Sequence, residues 1–338
     1  MGIINKFCET YNLIKNLSHI NGADVNEMLL NRAMFSIEKL PPLGKEYWWF
    51  LFFGQDGERP VQITLLIFRK HGKKMLFNHK KMRFNELSEN EVLAVTSGWI
   101  YDGDELRKLP DTNAITILQE DTITSEISGS EMVFSGSYPN YLMTLGDLIN
   151  LKMENGNFIE TKDAYGVFLP PLGVGWVDVF SDANGTVLGK KFKGTAHLQK
   201  VVGVAPFGPF HWARIVFKNH SVFSFFCLKM GKESHTFLHK SIKFFDTKNQ
   251  ITIRLNNPKL EVSRIGDNWI IEGIEKNKHI RAVLEIYATN RYDMKGGGSQ
   301  VYIQYAVIPK ELTIKDDKNT FTLSDLGEGV GTIEDAYW

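Results

Sequence analysis

The spacing of apolar and polar residues along the chain changes near residue 40. Before that point, apolar residues between Ile3 and Leu17 recur every three or four positions, which is the period of an amphipathic helix. Asp24 precedes the segment VNEMLLNRA and is a candidate N-cap for a second helix, and Pro41-Pro42 ends the helical pattern. We therefore predict a short helical leader over residues 1–40.

From Tyr47 onward the pattern has the period of β-strands. Apolar segments such as YWWFLFFG, VQITLLIFRK and SVFSFFCLKM are separated by turn residues such as Asn219-His220. The polar stretch 86–113 holds one short strand-like piece and is interpreted as an excursion from the sheet. No segment after residue 40 requires a long helix, so the pattern predicts an all-β region of antiparallel hairpins.

The spacing of certain glycines indicates that the strand-rich region is repeated. Gly136 and Gly273 are 137 residues apart, and so are Gly194 and Gly331. We therefore predict that a second unit copies the first. About ten antiparallel strands per unit favour closed or nearly closed barrels, because closure removes unpaired edges, and such a barrel has room for one small ligand. A solid sandwich core is the alternative.

Length and charge set the number of domains and the class of partner. A chain of 338 residues fits two domains better than one core, and we predict a first barrel over 41–202 and a second over 203–338. Lys and Arg together number 39, as do Asp and Glu, which argues against a nucleic-acid partner and favours an apolar small molecule. Apolar runs are too short to span a membrane, so only peripheral membrane association is considered. The oligomeric state stays open.

The cysteines indicate the cellular compartment, and the missing cofactor motifs limit the classes of reaction that the sequence supports. Cys8 and Cys227 form no CxxC pair, and no charged start with an apolar core precedes them as in a signal peptide, so we expect a cytoplasmic protein with free thiols. His235 and His239 lack the further ligands of a zinc site. The nucleotide-binding and serine-hydrolase motifs do not occur. We predict no metal and no cofactor.

Three titratable residues are the candidates for chemistry. His197 lies in a strand that begins with small residues, and a histidine can give or take a proton near neutral pH; the alternative is a core histidine bonded to a backbone carbonyl. Glu334 occupies the matching place in the second copy and would act as a general acid if burial raised its pKa, or else lie on the surface. Asp178 is a third acidic candidate, with a solvated loop as the alternative.

Large aromatic and cationic side chains are the candidates for ligand binding. Aromatic rings offer a broad apolar surface, and stacked on a polyene or cation they can stabilise positive charge, although such rings more often fill a core. An inward arginine would need a partner, such as a ligand carboxylate. The candidates are Trp49, Tyr138, Phe210, His211, Trp212 and Arg214.

Three segments resemble a known family. They are GTAHLQKV at 194–201, FHWARIVFKNHSVFSFFCLK at 210–229 and LGEGVGTIEDAY at 326–337. A strand of this kind, a linker and a His-Trp segment opening a new unit are similar to the two-domain lipocalin-like proteins, which include AttH-like proteins, carotenoid 1,2-hydratases (hydroxyneurosporene synthases) and fungal lipocalin-type pericyclases. The family frequently has an Asp-His pair in the junction strand, whereas here Ala196 precedes His197.

The resemblance implies both a fold and a class of ligand. The fold is all-β, with two lipocalin-like (calycin) antiparallel barrels in tandem behind a short helical leader. The ligand is a hydrophobic isoprenoid or polyketide-like molecule, held in a barrel or between the barrels. Two functions stay open at this point: a carrier of that molecule, or a hydratase, isomerase or cyclase that uses a buried His or Glu as the acid. An interaction protein with solid cores is a third possibility.

Overall fold

The computed structural model describes residues 2–20, 22, 24–56, 59–155, 162–206, 208–231, 236–296 and 298–337. Within these ranges the chain forms two compact units, which divide near residue 206. The first unit also includes residues 295–296. Each unit is an antiparallel β-structure with its own cluster of buried apolar side chains.

The first unit begins with the helical leader and continues as a long series of hairpins. Its elements are α1 (Gly2–Ile20), α2 (Glu27–Phe35), β1 (Gly44–Asp56), β2 (Arg59–Lys70), β3 (Lys74–Phe77), β4 (Lys80–Arg83), β5 (Asn85–Glu86), β6 (Glu91–Tyr101), β7 (Leu106–Gln119), β8 (Thr122–Ile127), β9 (Ser130–Ser137), β10 (Asn140–Leu145), β11 (Ile149–Glu154), β12 (Lys162–Leu169), β13 (Leu172–Val187) and β14 (Lys190–Val204).

Ten of these strands close into a barrel. They follow the order β11-β10-β9-β8-β7-β6-β2-β1-β14-β13, and β13 returns to pair with β11. The other end of β13 pairs with β12, so this long strand belongs to the barrel and to a flanking hairpin. Closure pairs the backbone groups that an open sheet would leave at its two edges. The predicted barrel is therefore confirmed for the first unit.

The stretch 86–113 is part of this barrel, which corrects its interpretation as an excursion. Residues 91–101 form β6 and residues 106–119 form β7, and the two strands pair along most of their length. Two features obscure the alternation here. Several residues are polar, and one register shift, between Thr96 and Gly98, interrupts the ladder.

Helix α2 packs into the core of the barrel. Its buried residues Leu30, Ala33, Met34 and Phe35 belong to the same apolar cluster as the strands, and Phe35 stacks on Phe134 with ring centroids 5.4 Å apart. The N-cap is Asn26 instead of the predicted Asp24: the Asn26 side chain accepts a hydrogen bond from the Leu29 backbone N–H at 2.7 Å. The interior of this barrel is occupied by large side chains and a helix.

The second unit follows as another antiparallel sheet. Its elements are β15 (Phe210–Phe217), β16 (Val222–Lys229), β17 (Phe237–Asp246), β18 (Ile251–Asn256), β19 (Lys259–Ile265), β20 (Asn268–Glu275), β21 (Lys278–Lys295), β22 (Ser299–Lys315), β23 (Thr320–Thr322), α3 (Leu323–Leu326) and β24 (Gly329–Tyr337). Nine strands follow the order β18-β17-β16-β15-β24-β22-β21-β20-β19. Side chains of both end strands, such as Ile253 and Val262, pack on one core, so the sheet curls around it.

The last strand of each unit lies beside the first strand of the same unit. β14 pairs with β1, and β24 pairs with β15. A Cβ on Gly194 would overlap with the Phe53 carbonyl oxygen, and a Cβ on Gly331 would overlap with the Arg214 carbonyl oxygen. The two glycines that the 137-residue spacing relates therefore sit in equivalent places, while the duplication itself stays a prediction.

The close approach at Gly194 gives a testable effect on stability. Gly194→Ala is expected to lower the free energy of unfolding by about 1–3 kcal/mol, because the added methyl group must push β14 away from β1. The control is Gly203→Ala in the same strand, where the nearest atom to a Cβ is Lys45 Cγ at 3.7 Å. Urea unfolding measures both variants, and equal stabilities would contradict the prediction.

Candidate functional site

Each strand of the first barrel has a face that carries the core and an opposite face. Along β14, Ala196 and Leu198 point into the core, so His197 and Gln199 point to the opposite face. Along β13, Val177 and Val179 belong to the core, which places Asp178 on that opposite face as well. Asp178 lies directly across the ladder from Gln199, and it is diagonal to His197.

Asp178, His197 and Gln199 form a hydrogen-bonded group on this face. His197 Nε2 lies 2.9 Å from Asp178 Oδ1, and Gln199 Nε2 donates to the same oxygen at 2.8 Å. The His197 side chain is fully buried and that of Asp178 is 1% exposed. The carboxylate therefore fixes the orientation of the imidazole, and Gln199 fixes the orientation of the carboxylate. The carboxylate beside His197 therefore comes from the neighbouring strand β13.

The surroundings of the His197 ring are apolar and aromatic. The ring stacks on Phe180 with centroids 4.7 Å apart and an angle of 3° between the planes. Leu51 is the cross-strand partner of His197 in β1, and Trp49 is the partner of Gln199. All these apolar side chains are buried. The Asp178 carboxylate is hydrogen-bonded to the ring and would stabilise a positive charge that develops on it.

Glu334 is the centre of a second polar group, in the second unit. Across the ladder it faces Trp212 in β15 and Gln304 in β22, and Gln304 Nε2 donates to Glu334 Oε1 at 3.3 Å. The Tyr302 hydroxyl, two residues from Gln304 in β22, also hydrogen-bonds to the Glu334 carboxyl group. Arg214 lies with its guanidinium carbon 5.6 Å from the centre of the Trp212 ring.

Burial changes the acidity of this group. It raises the pKa of Glu334 to about 7, and the hydrogen bonds from Tyr302 and Gln304 offset part of that rise. Burial, together with the Glu334 charge, raises the pKa of Tyr302 well above its ordinary value. Near neutral pH, Glu334 therefore exists in both the protonated and the ionised form, as a general acid or base requires.

The raised pKa of Glu334 predicts a pH dependence of stability. Because the folded state holds this proton more tightly than the unfolded state, the free energy of unfolding falls as the pH rises from about 4.5 to about 7, by at most about 3 kcal/mol. Glu334→Gln is expected to remove this slope. Urea unfolding across that range measures it, with the exposed Glu311→Gln as the control. A parental slope in Glu334→Gln would contradict the assignment.

The structure distributes the predicted site residues over several places. It brings His197 and Asp178 together, with Trp49 on the same face; the solvated-loop alternative for Asp178 is wrong, since Asp178 is a buried strand residue. It also groups Glu334 with Trp212, Arg214 and Phe210 on one face of β15 and β24.

Two predicted ligand-binding residues lie elsewhere. Tyr138 sits at the β9–β10 turn beside α2, where its backbone N–H donates to Asn31 Oδ1 at 3.0 Å, away from the His197 group of the same unit. His211 points to the core side of β15, opposite to Trp212 and Glu334, and contacts Asp335. The sequence analysis placed His211 and Trp212 in one group, whereas these neighbours in β15 point to opposite faces of the strand.

Sequence reasoning missed four members of these groups. Gln199 and Phe180 flank the Asp178–His197 contact, and Tyr302 and Gln304 contact Glu334. The alternation within β13, β14 and β22 carries the signal: Gln199, Phe180 and Gln304 lie directly across from a candidate, and Tyr302 lies two positions from Gln304 on the same face. Using this signal requires the pairing register, which one strand alone does not supply.

Metal and thiol chemistry have little support among the described residues. No group of three or more His, Cys, Asp and Glu side chains in those ranges is arranged to hold a metal ion. His235 and the Cys8 side chain lie outside the described part of the chain. Cys227 is a free, buried thiol, and burial raises its pKa to about 12, so it stays protonated. No helix in the described ranges is long and apolar enough to cross a membrane.

Comparison with known proteins gives structural matches only. No protein-family model and no curated protein matches the sequence. CghA, solved with Sch210972, has a TM-score of 0.55 and 9% identity, over 95% of each chain. A protein assigned as AttH from Nitrosomonas europaea has a TM-score of 0.49 and 11% identity, over 86% of this chain and 91% of the other. Kievitone hydratase from Nectria haematococca has a TM-score of 0.45 and 10% identity, over 90% of this chain and 94% of the other.

At this level of identity the match to CghA is a likeness of fold. It covers 95% of this chain. The predicted architecture is confirmed: the chain has the two-unit, all-β lipocalin-like fold that its sequence resembles.

Proposed function

We propose that this protein binds an apolar small molecule of isoprenoid or polyketide type and catalyses a proton transfer on it, leading to hydration, isomerisation or cyclisation. The observation that carries the proposal is the buried contact between Asp178 and His197. A buried polar pair that only filled a core would contribute little compared with apolar residues of the same volume. An oriented histidine among aromatic side chains, in contrast, is suited to acid–base chemistry on an apolar substrate.

In this proposal each ring nitrogen of His197 has its own role. His197 Nε2–H donates to the Asp178 carboxylate, so Nδ1 is the ring nitrogen that takes or gives the proton of the substrate. When the ring is protonated, the Asp178 charge stabilises the imidazolium, as in other histidine–carboxylate pairs. Proton transfer from His197 to an alkene carbon leaves a carbocation and a neutral imidazole. Water or a second double bond of the substrate captures the cation, or the cation is not captured and gives the isomer; in each case the final cation loses one proton, which the imidazole accepts.

Glu334 supplies a second candidate acid. Its pKa of about 7 keeps a useful fraction protonated at neutral pH, and Tyr302 and Gln304 hold the carboxyl group in place. The solved structure of CghA contains Sch210972, which supports the idea that this architecture accommodates a small organic molecule. Our proposal extends that capacity to this chain.

Carriage without turnover is the second candidate function. The apolar character of the face around His197, formed by Trp49, Leu51 and Phe180, favours it, because apolar side chains give affinity without chemistry. Both functions predict binding of an apolar molecule, and only the enzyme predicts a chemical change.

Incubation in D₂O separates the two. The purified protein is mixed with an apolar extract fraction rich in isoprenoids and polyketides, and products are followed by mass spectrometry. Catalysis is expected to yield a compound with one deuterium on carbon, isomeric with its precursor or heavier by one water. Saturable retention of an unchanged compound would establish the carrier instead. If neither a deuterated product nor saturable retention is observed, both proposals are overturned.

A further inference from the structure

One end of the second unit's core contains charged and polar side chains. The side chains of this group point to the core side of their strands: His211 in β15, Lys229 in β16 and Asp335 in β24. His211 lies directly across the ladder from the fully buried Cys227. Glu334 precedes Asp335 and points to the opposite face of β24. This polar group is therefore separate from the Glu334 group, although both lie in the same unit.

The charges of the group are linked to each other. Lys229 Nζ lies 3.1 Å from Asp335 Oδ1, and His211 Nδ1 lies 3.1 Å from the same oxygen. The Lys229 side chain is 5% exposed and the Asp335 side chain 16% exposed. Burial lowers the pKa of His211, which keeps the ring mostly neutral at neutral pH. Lys229 and Asp335 then balance each other's charge.

Trp269 provides the observation that points to a ligand. Its side chain is 5% exposed, and its indole Nε1 is buried with no hydrogen-bond acceptor among the described residues. The ring packs edge-on against His211 and Tyr305, with centroids 5.3 Å and 5.6 Å away. An indole N–H can only donate, and leaving it unpaired in a protein interior costs about 1–3 kcal/mol. A structure that tolerates this cost calls for an acceptor other than the described residues, such as a bound ligand.

A second cation lies at the outer side of Trp269. Arg264 is opposite Trp269 in the β19–β20 ladder, donates to the Tyr305 hydroxyl at 3.0 Å, and places its guanidinium carbon 4.8 Å from the centre of the Tyr305 ring. Lys229 is paired with Asp335, and Arg264 adds a second positive charge beside Tyr305. The group therefore combines aromatic rings, a buried donor and two cations.

We propose that this end of the second unit's core is a binding site for a small aromatic carboxylate, whose carboxylate accepts a hydrogen bond from Trp269 Nε1 and is attracted by Lys229 and Arg264. The ring of the ligand packs against the cluster that Trp269, His211 and Tyr305 form. The site uses residues of the second unit alone and includes neither His197 nor Glu334. It is independent of the proposed catalytic function.

The probe for this site is 1-naphthoate, with uncharged naphthalene for comparison. In the unmodified protein labelled with ¹⁵N at its tryptophans, the Trp269 indole N–H resonance is expected to shift on titration with 1-naphthoate. That resonance is assigned as the signal that Trp269→Phe removes. Naphthalene is expected to bind at least about tenfold more weakly, because it offers no acceptor and no charge.

Two variants test the proposed contacts. Trp269→Phe keeps an aromatic ring and removes the donor, and Lys229→Met removes the cation; each is expected to weaken 1-naphthoate binding about tenfold. Trp176→Phe, the same substitution in the first unit, is the control and is expected to bind as the parent does. Parental affinity in Trp269→Phe, equal binding of naphthalene, or a stationary Trp269 resonance at saturation would each overturn the proposal.

Discussion

His197→Gln is expected to lower turnover of the D₂O-labelled reaction by about 100- to 10,000-fold, the usual contribution of a positioned general acid or base. Glutamine has a similar reach and can still donate to Asp178, so the buried contact survives in part. It has no group that titrates near neutral pH, and therefore cannot deliver or accept the proton. The initial rate of deuterium incorporation measures the effect.

Two further variants make this result specific. Asp178→Asn is expected to lower the rate as well, because an amide in place of the carboxylate no longer favours the Nε2–H tautomer of His197 or stabilises its imidazolium. His279→Gln is the control: His279 also contacts a carboxylate, Glu272, at 2.7 Å, but this pair is partly exposed. Parental rates in His197→Gln, with a parental thermal transition, would remove His197 from the chemistry.

The second large effect concerns stability, and it comes from a buried ion network under α2. The Glu46 carboxylate in β1 pairs with two cations: Lys200 Nζ lies 2.8 Å from one carboxylate oxygen, and Arg69 Nε lies 2.6 Å from the other. All three side chains are nearly or fully buried. Lys200 also donates to the Ala33 and Ser36 carbonyl oxygens at 3.2 Å and 2.7 Å. The network thus connects the end of the helix to the barrel.

Glu46→Gln is expected to lower the free energy of unfolding by about 3–5 kcal/mol, because it leaves two buried cations without their shared anion. Adding Lys200→Met to Glu46→Gln is expected to recover part of the loss, since one of the two buried cations that faced Glu46 is then gone. The matched control is Lys152→Met, which breaks the exposed Lys152–Glu154 pair and should change stability by less than about 1 kcal/mol.

Urea unfolding followed by tryptophan fluorescence measures this series. The order of stability is expected to be the parent and Lys152→Met first, the double variant next and Glu46→Gln last. A Glu46→Gln protein as stable as the parent would show that the network contributes nothing to the barrel. A double variant that is less stable than Glu46→Gln would show that the Lys200 contacts with α2 and its approach to the Trp48 ring, at 3.9 Å, outweigh its charge.

Much of the architecture could be predicted from local pattern. The helical leader follows from apolar residues at helical spacing, and the hairpins follow from alternation broken by turn residues, because both patterns report how a segment buries one face. Where the pattern was interrupted, the prediction failed. β6 and β7 were assigned to an excursion, because a register shift and several polar residues obscure the alternation.

Residue spacing alone relates the two units only approximately. The 137-residue spacing places Gly194 and Gly331 in equivalent strands, and it relates His197 to Glu334. The pairing register then sets Leu51 opposite His197 and Trp212 opposite Glu334. Trp212 therefore corresponds to Leu51, two residues from Trp49.

By itself the sequence determined the helical leader and most of the strands, and it pointed to His197, Asp178 and Glu334 as the residues to examine. The tertiary structure alone decided which of these meet. Asp178 reaches His197 because β13 and β14 pair in one register, and Glu46 reaches Lys200 because the first and last strands of the barrel are neighbours. Local pattern records the burial of each segment, whereas register and closure depend on the summed packing of all the strands.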